Sequence, residues 1–115
     1  MFSLNSQQRL YLYNQPTDMR KGFDGLFALV QGQLQENPLS GDAYLFINRG
    51  RNRIKILQWE QVGFVIYYKR LEQGTFKKMS IKTEGSTIIS WTELVLLMDG
   101  ITIEKYRKRK RFSSL

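Results

Sequence analysis

The chain has 115 residues, of which 42% are hydrophobic and 13% aromatic, which is enough apolar material for one folded domain and too much for a disordered chain. It contains neither cysteine nor histidine, which excludes disulfide bonds, thiol catalysis and the two commonest zinc ligands. The net charge of +8 indicates a polyanionic partner, but residues 105–111 carry six of the 18 basic side chains and leave only +2 for the rest.

The N-terminal third of the chain predicts a strand followed by a helix. Arg9–Tyr13 (R-L-Y-L-Y) alternates as a short strand does, and a turn-forming Asn-Gln-Pro follows it. Thr17 stands where a helix N-cap is expected, with Asp18 in the first turn, where a carboxylate suits the helix dipole. The helix is then marked by an apolar stripe at helical spacing, which ends before Asn37-Pro38: Phe23, Leu26, Phe27, Val30 and Leu34.

The middle and end of the chain predict strands and a second helix. Ala43–Asn48, Arg53–Glu60 and Gly63–Arg70 are rich in β-branched and aromatic residues and are joined by short connectors, so an antiparallel meander is the simplest topology. A weaker strand follows at Ser86–Ile89. Ser90 and Glu93 form a capping box before a leucine-rich helix, and Gly100 is placed to end it.

These elements together predict an α+β domain, an antiparallel β-meander sheet with a helix from each half of the chain packed on it. We expect a single domain over residues 1–103 and a flexible basic tail over residues 104–115. Residues 1–15 lack the pattern of a secretory signal, and no apolar run reaches the length of a membrane span. The expected location is the cytoplasm, without membrane contact.

Carboxylates are the remaining candidates for catalysis, but they are scattered over predicted caps and turns: Asp18, Asp24, Asp42, Glu60, Glu72 and Glu84. None lies at a spacing that places a lysine beside a metal-binding acid, and no glycine-rich phosphate loop is present. We therefore expect no catalytic residue, metal or cofactor. A metal-dependent nuclease that uses Asp18 or Asp24 is the least favoured alternative.

Basic residues recur at every second position from Arg49 to Lys55. If the chain is extended there, four cations point to one side and can follow a sugar-phosphate backbone: Arg49, Arg51, Arg53 and Lys55. Lys69-Arg70 and Lys77-Lys78 enlarge this patch if the third meander strand pairs with the second. The alternative is a solvated hairpin whose charges prevent edge-to-edge aggregation.

The tail is the second candidate for contact with nucleic acid. It combines Tyr106 with six cations and no acid between residues 105 and 111, a composition that can neutralise phosphates and stack on bases: Lys105, Arg107, Lys108, Arg109, Lys110 and Arg111. The alternative is a solubilising tail.

The aromatic residues of the predicted strands are expected to be core residues in the main, with Tyr67 or Tyr68 as the exposed exception.

Residues 17–26 read T-D-M-R-K-G-F-D-G-L, which closely resembles the N-terminal signature of the TnpB (Orf-two-like) accessory proteins of bacterial insertion-sequence-sixty-six elements. Further blocks of the same family follow in order: F-I-N-R-G-R-N-R-I-K-I-L at 46–57, G-F-V-I-Y-Y-K-R-L-E-Q-G-T-F at 63–76 and L-V-L-L-M-D-G-I at 94–101. The resemblance spans about residues 9–103.

The resemblance implies a non-catalytic protein that is encoded beside a separate transposase and is needed for efficient transposition. The expected protein partners are the element-encoded transposase and other accessory proteins. The chemistry then belongs to the transposase, and no catalytic residue is carried over to this chain. The leading hypothesis is contact with DNA at the element ends through the basic row and the tail.

The second hypothesis is an adaptor that docks the transposase, with Arg20, Lys21 and Asp24 at the contact. Gly22 and Gly25 either allow a partner's backbone to approach or let the helix pack tightly on the sheet.

Overall fold

The computed structural model of the chain describes residues 4–99, which form five strands and two helices. In chain order they are β1 (Leu10–Tyr13), α1 (Phe23–Gly32), β2 (Ala43–Ile47), β3 (Arg53–Glu60), β4 (Gly63–Arg70), β5 (Ser86–Ile89) and α2 (Trp91–Met98). The predicted α+β class is confirmed, and the bounds of β3, β4 and β5 are those expected from the sequence.

The five strands form one sheet in the order β4-β3-β2-β1-β5. The predicted meander is present, since β2, β3 and β4 pair antiparallel with their sequence neighbours. One pair departs from it: β1 runs parallel to β2, with Leu10 opposite Ala43, because α1 carries the chain back before β2 begins. On its other side β1 pairs antiparallel with β5, which forms one outer edge of the sheet.

The two helices cover opposite faces of this sheet, so that it has two hydrophobic cores. α1 buries Leu26 and Val30 against Tyr44 and Phe46, whereas α2 packs on the other face with Leu45 and its neighbours. All five residues of β2 are buried, which is expected of a strand covered on both faces. The apolar stripe predicted for α1 is confirmed at its centre, although Phe23 remains 49% exposed.

The start of α1 differs from the prediction, since the helix begins at Phe23 and Gly22 occupies the N-cap without a side-chain bond. Thr17 is instead buried, and its main-chain N–H donates to the carbonyl of Ile47 at 2.9 Å. Asp18 belongs to a separate turn, in which its carbonyl accepts from the N–H of Lys21. The N-cap prediction was wrong because a contact to β2, distant in sequence, determines the conformation at Thr17.

The predicted capping box of α2 is confirmed. The Ser90 Oγ accepts from the N–H of Glu93 at 3.0 Å, and the Glu93 carboxylate accepts from the N–H of Ser90 at 2.9 Å. The expected end at Gly100 lies outside the described residues. Within residues 4–99, no helix has both the length and the apolar character needed to cross a membrane.

The capping box gives a first test of stability. Ser90→Ala removes the acceptor for the Glu93 N–H, and we expect the free energy of unfolding to fall by about 1 kcal/mol. Urea denaturation followed by circular dichroism measures the change. Thr92→Ala is the matched control, because Thr92 is exposed in the same first turn; an equal loss in both variants would contradict the role of the cap.

Candidate nucleic-acid interface

The predicted row of four cations is broken by the turn between β2 and β3. Arg53 and Lys55 lie in β3 and alternate onto the same face, as expected, but Arg49 and Arg51 precede the strand. Arg51 has a left-handed backbone, with φ of 57°, so the chain is not extended there. The expectation that all four side chains point to one side was therefore wrong.

Asn48 determines the shape of this turn. Its side-chain oxygen accepts from the N–H groups of Asn52 and Arg53 at 3.0 and 2.9 Å, and its main-chain carbonyl accepts from the N–H of Arg51. An asparagine that bonds to the backbone ahead of it favours a turn over an extended strand. The residue sequence N-R-G-R-N-R therefore closes the hairpin before the cations of β3 begin.

Arg51 links the turn to the segment that follows β4. Its Nε donates to the carbonyl of Phe76 at 2.8 Å, and the N–H of Phe76 donates back to the Arg51 carbonyl. The guanidinium is partly buried, and this burial lowers the pKa of Arg51 from its usual value. Arg51 therefore has a structural partner inside the protein.

Lys55 is buried, with only 9% of its surface exposed. Its Nζ donates to the carbonyls of Met19 and Lys21, both at 2.8 Å, and lies 4.7 Å from the centre of the Tyr68 ring. The ammonium group thus fastens the segment before α1 to the middle of the sheet. Sequence reasoning missed this role because a lysine that alternates with isoleucines in a strand has the same pattern as a solvated one.

Lys69 and Arg70, at the end of β4, differ in their surroundings. The Lys69 Nζ donates to the carbonyl of Met98 at 2.7 Å, at the C-terminal end of α2, where a cation also suits the helix dipole. Arg70 is exposed on the other face and forms an ion pair with Glu72 at 2.8 Å. A pair as exposed as this contributes little to stability.

Five further cations, of which Arg53 is half-buried, lie at one end of the sheet, where β1, β2 and β4 end and β3 begins. Arg53 is the register partner of Arg70, and its Nη1 donates to the Tyr68 hydroxyl at 3.0 Å. Arg49 and Arg53 line one groove, and Arg49 also lines a second groove of about 200 Å³ with Lys78 and Lys82. We call this set the basic rim: Arg49, Arg53, Arg70, Lys78 and Lys82.

The aromatic residues of β3 and β4 are largely packed, as expected. Phe76 is almost fully buried, and Phe64 makes edge-on contacts with Phe27 and Trp59. Tyr67 packs against the core on the α2 face, whereas Tyr68 is 46% exposed. Tyr68 is thus the exposed aromatic side chain beside the basic rim.

The signature segment lies at the same end of the sheet. Arg20 is 91% exposed and donates to the Asp18 carboxylate, with Nη2 2.6 Å from Oδ2. The side-chain and main-chain hydrogen bonds from Arg20 lower the pKa of Asp18 to about 2. Asp24 lies in the first turn of α1, and the helix begins too late for Arg20 and Asp24 to share a helical face.

The glycines of the signature are not packed against the sheet. A Cβ atom added at Gly22 would meet nothing within 4 Å, and one added at Gly25 would meet the Lys21 side chain at 3.1 Å. Lys21 itself is exposed, and its carbonyl is one of the two that Lys55 binds. Tight packing on the sheet is therefore not the reason for either glycine.

The predicted tail contacts, residues 105–111, lie outside the described residues. Within residues 4–99, no group of three acidic side chains is placed to hold a metal ion.

Comparison with known proteins finds a family and two relatives that the chain resembles. A family model described as IS66 Orf2 like protein matches residues 8–108. Uncharacterized protein y4jC of Sinorhizobium fredii (strain NBRC 101917 / NGR234) is 31% identical over 101 residues, or 88% of this chain and 86% of the relative. Uncharacterized protein y4hO of the same organism is 34% identical over 93 residues, or 81% and 80%. No solved structure gives a significant match. The matched range includes the whole sheet, the signature and the basic rim.

The buried ammonium group of Lys55 makes a testable contribution to stability. Lys55→Met keeps the aliphatic stem but leaves the carbonyls of Met19 and Lys21 without their donor, and we expect the free energy of unfolding to fall by about 2 kcal/mol. Urea denaturation measures the loss, and hydrogen exchange tests whether amides in residues 17–22 lose protection. Lys82→Met, at an exposed site, is the control; equal midpoints for both variants would contradict the anchoring role.

The ion pair of Asp18 predicts a pH dependence. Because folding lowers the pKa of Asp18 from 3.8 to about 2, its stabilising effect is present above pH 4 and is lost as the pH falls toward 2. An NMR titration of the side-chain carboxyl carbon should give a midpoint near 2 that returns toward 3.8 in Arg20→Ala. Arg70→Ala should leave the titration unchanged, and the same Asp18 midpoint in Arg20→Ala and wild type would rule out this cause.

Proposed function

Because the chain belongs to the IS66 Orf2-like protein family, whose members are transposition-associated accessory proteins, we propose that it acts in transposition by contacting DNA through the basic rim and the tail. This proposal rests on one observation, that cations at the ends of neighbouring strands lie close together. Arg49, Arg53 and Arg70 come from three places in the sequence and line adjoining grooves at one end of the sheet.

The charges at this end are suited to a phosphate backbone. Cations held on strand ends and turns position a protein on DNA without reading its sequence. The nearby acids offset these charges only in part: Glu72 pairs with Arg70 and Asp18 pairs with Arg20, but within residues 4–99 no ion pair joins an acid to Arg49 or Arg53. The six cations of residues 105–111 add a further polycationic segment. Tyr68 offers an exposed ring next to Arg53 for contact with a base or sugar.

Three of the cations predicted for binding are assigned structural tasks in this proposal. Arg51, Lys55 and Lys69 donate to main-chain carbonyls of Phe76, of the segment before α1 and of α2. Substitution of these three residues is expected to weaken DNA binding only because it destabilises the structure that supports the basic rim. Arg49, by contrast, is exposed, and no hydrogen bond or ion pair with residues 4–99 holds its side chain.

An adaptor function is the second candidate, and one observation favours it. The turn that displays Arg20 is held at both ends, by the Asp18 carboxylate and by the bonds from Lys55, so the exposed side chains of Arg20, Lys21 and Asp24 stand on a rigid support. A preorganised exposed surface of this kind suits docking of the transposase. Co-purification with the transposase that resists nuclease treatment and is lost in Arg20→Glu would establish this function.

Salt-dependent binding to duplex DNA tests the first candidate. Fluorescence anisotropy with element-end and random duplexes should show affinity that falls steeply with salt, because each neutralised phosphate adds about 0.9 to the slope of log K against log salt. Arg49→Gln should lower the magnitude of this slope by about 0.9, the contribution of one phosphate contact. Removal of residues 105–115 should lower it further.

Arg9→Gln is the matched control, since it removes the same charge at the opposite end of the sheet, where β1 begins. If only the net charge of the protein mattered, Arg9→Gln and Arg49→Gln would lower the DNA affinity equally. Equal losses, or negligible binding at low salt, would contradict a DNA contact at the basic rim.

A further inference from the structure

β4 forms an outer edge of the sheet, with β3 on one side and no strand of residues 4–99 on the other. It has eight residues, whereas β5 at the opposite edge has four. Its pairing with β3 is continuous from Gly63 to Arg70, so no bulge interrupts the strand. A straight edge of this length is a template on which a further strand can form hydrogen bonds.

The register determines which main-chain groups point outward from β4. The N–H of Leu71 donates to the carbonyl of Asn52 at 2.7 Å, which marks these opposed residues as a hydrogen-bonded pair. Hydrogen-bonded and non-bonded pairs alternate along an antiparallel ladder. The N–H and C=O groups that point away from β3 therefore belong to the even-numbered residues of the strand: Phe64, Ile66, Tyr68 and Arg70.

The side chains do little to protect this edge. Natural edge strands carry charges, prolines or bulges along their length that discourage pairing. β4 has no proline, and its only charges, Lys69 and Arg70, lie at its C-terminal end. The five residues before them, F-V-I-Y-Y, are all strong strand formers.

We propose that β4 pairs antiparallel with β4 of a second copy of this chain, around a two-fold axis beside Tyr67. A two-fold axis perpendicular to the sheet places equivalent strands antiparallel and pairs residues that share a face. Centred on Tyr67, it opposes Ile66 to Tyr68 and Phe64 to Arg70 of the second copy, so that all the outward main-chain groups find partners. This pairing needs no DNA and is independent of the proposed function.

The charges of β4 favour antiparallel pairing with a second copy over parallel pairing. In the antiparallel pair, Lys69 faces Val65 of the second copy and Arg70 faces Phe64, where a guanidinium can lie beside an aromatic ring. A parallel arrangement would instead bring Arg70 beside Arg70 and Lys69 beside Lys69, and directly opposed like charges are destabilising. The uneven charge of β4 is thus complementary to its own reversed copy. Because the contact is essentially one strand pair, the dimer is weak and concentration-dependent.

Sedimentation velocity of the full chain across a wide range of concentration, together with amide hydrogen exchange, tests the proposal. We expect a reversible monomer–dimer equilibrium in which the amides of Phe64, Ile66, Tyr68 and Arg70 become protected as dimer forms. Those of Val65, Tyr67 and Lys69, which already pair with β3, should change little. The proposal would be overturned if the protein stays monomeric at the highest concentration. It would also be overturned by a dimer in which the amides of the even-numbered residues still exchange rapidly, or by edge amides that gain protection only when a different protein is added.

Charge variants at Val65 separate this contact from other interfaces. Val65→Lys places a cation opposite Lys69 of the second copy at two symmetric positions and should weaken the dimer about tenfold, whereas Val65→Glu should tighten it. Thr83→Lys adds the same charge in an exposed segment near the opposite edge and should change nothing. Equal shifts for Val65→Lys and Val65→Glu would refute the pairing. Tyr68→Pro, which removes an outward N–H and no main-chain bond to β3, should abolish dimerisation even if the Val65 variants fold poorly. Tyr68→Ala loses the same side-chain contacts with Arg53 and Lys55 but keeps the N–H, and it should still dimerise.

Discussion

The ammonium group of Lys55 connects two parts of the protein that the chain itself keeps far apart. It lies in the middle of β3 and binds two carbonyls of the segment that leads into α1. Removing a cation from water is costly unless several acceptors replace the solvent, and here two carbonyls and the face of Tyr68 do so. The position of the signature segment, and so the display of Arg20, depends on this group together with the bond from the Thr17 N–H to Ile47 of β2.

The two-sided burial of the sheet explains where the protein can present polar chemistry. α1 and α2 cover opposite faces, so the central strands have no face in contact with solvent. Within the sheet, charged side chains that reach solvent are left with the ends of strands and the outer edges. The basic rim occupies one end, at turns and strand termini, and β4 forms the longer of the two edges. The same topology therefore separates the surface proposed to contact nucleic acid from the edge proposed to pair with another strand.

The fold was largely predictable because its signals are local. Alternation and short hairpin connectors determined β3 and β4, and the spacing of Ser90 and Glu93 determined the start of α2. The start of α1 was not predictable in the same way, since Thr17 has the identity of an N-cap while its N–H belongs to Ile47 of β2.

The candidate site was less predictable, since it depends on contacts between distant residues. Lys55 and Lys69 find their acceptors about 30 residues away or more, at Met19 and Met98, and charge pattern alone cannot distinguish such lysines from solvated ones. The left-handed backbone of Arg51 also interrupts a period-two pattern that is regular in the sequence. Arg49 and Arg70 keep the exposure that their sequence positions indicated, and Arg53 is half-buried at the rim.

The bond from Lys69 to the Met98 carbonyl has a consequence for the chain that follows α2. It holds the C-terminal end of α2 beside the last residues of β4, close to Arg70. The first residue of the basic run, Lys105, lies seven positions after Met98, so its Cα is within about 25 Å of that anchor whatever path the chain takes. A polyanion held at the rim would therefore meet the tail at the high effective concentration of a tethered second site. In the proposed function, the rim and the tail would thus act as one bivalent unit.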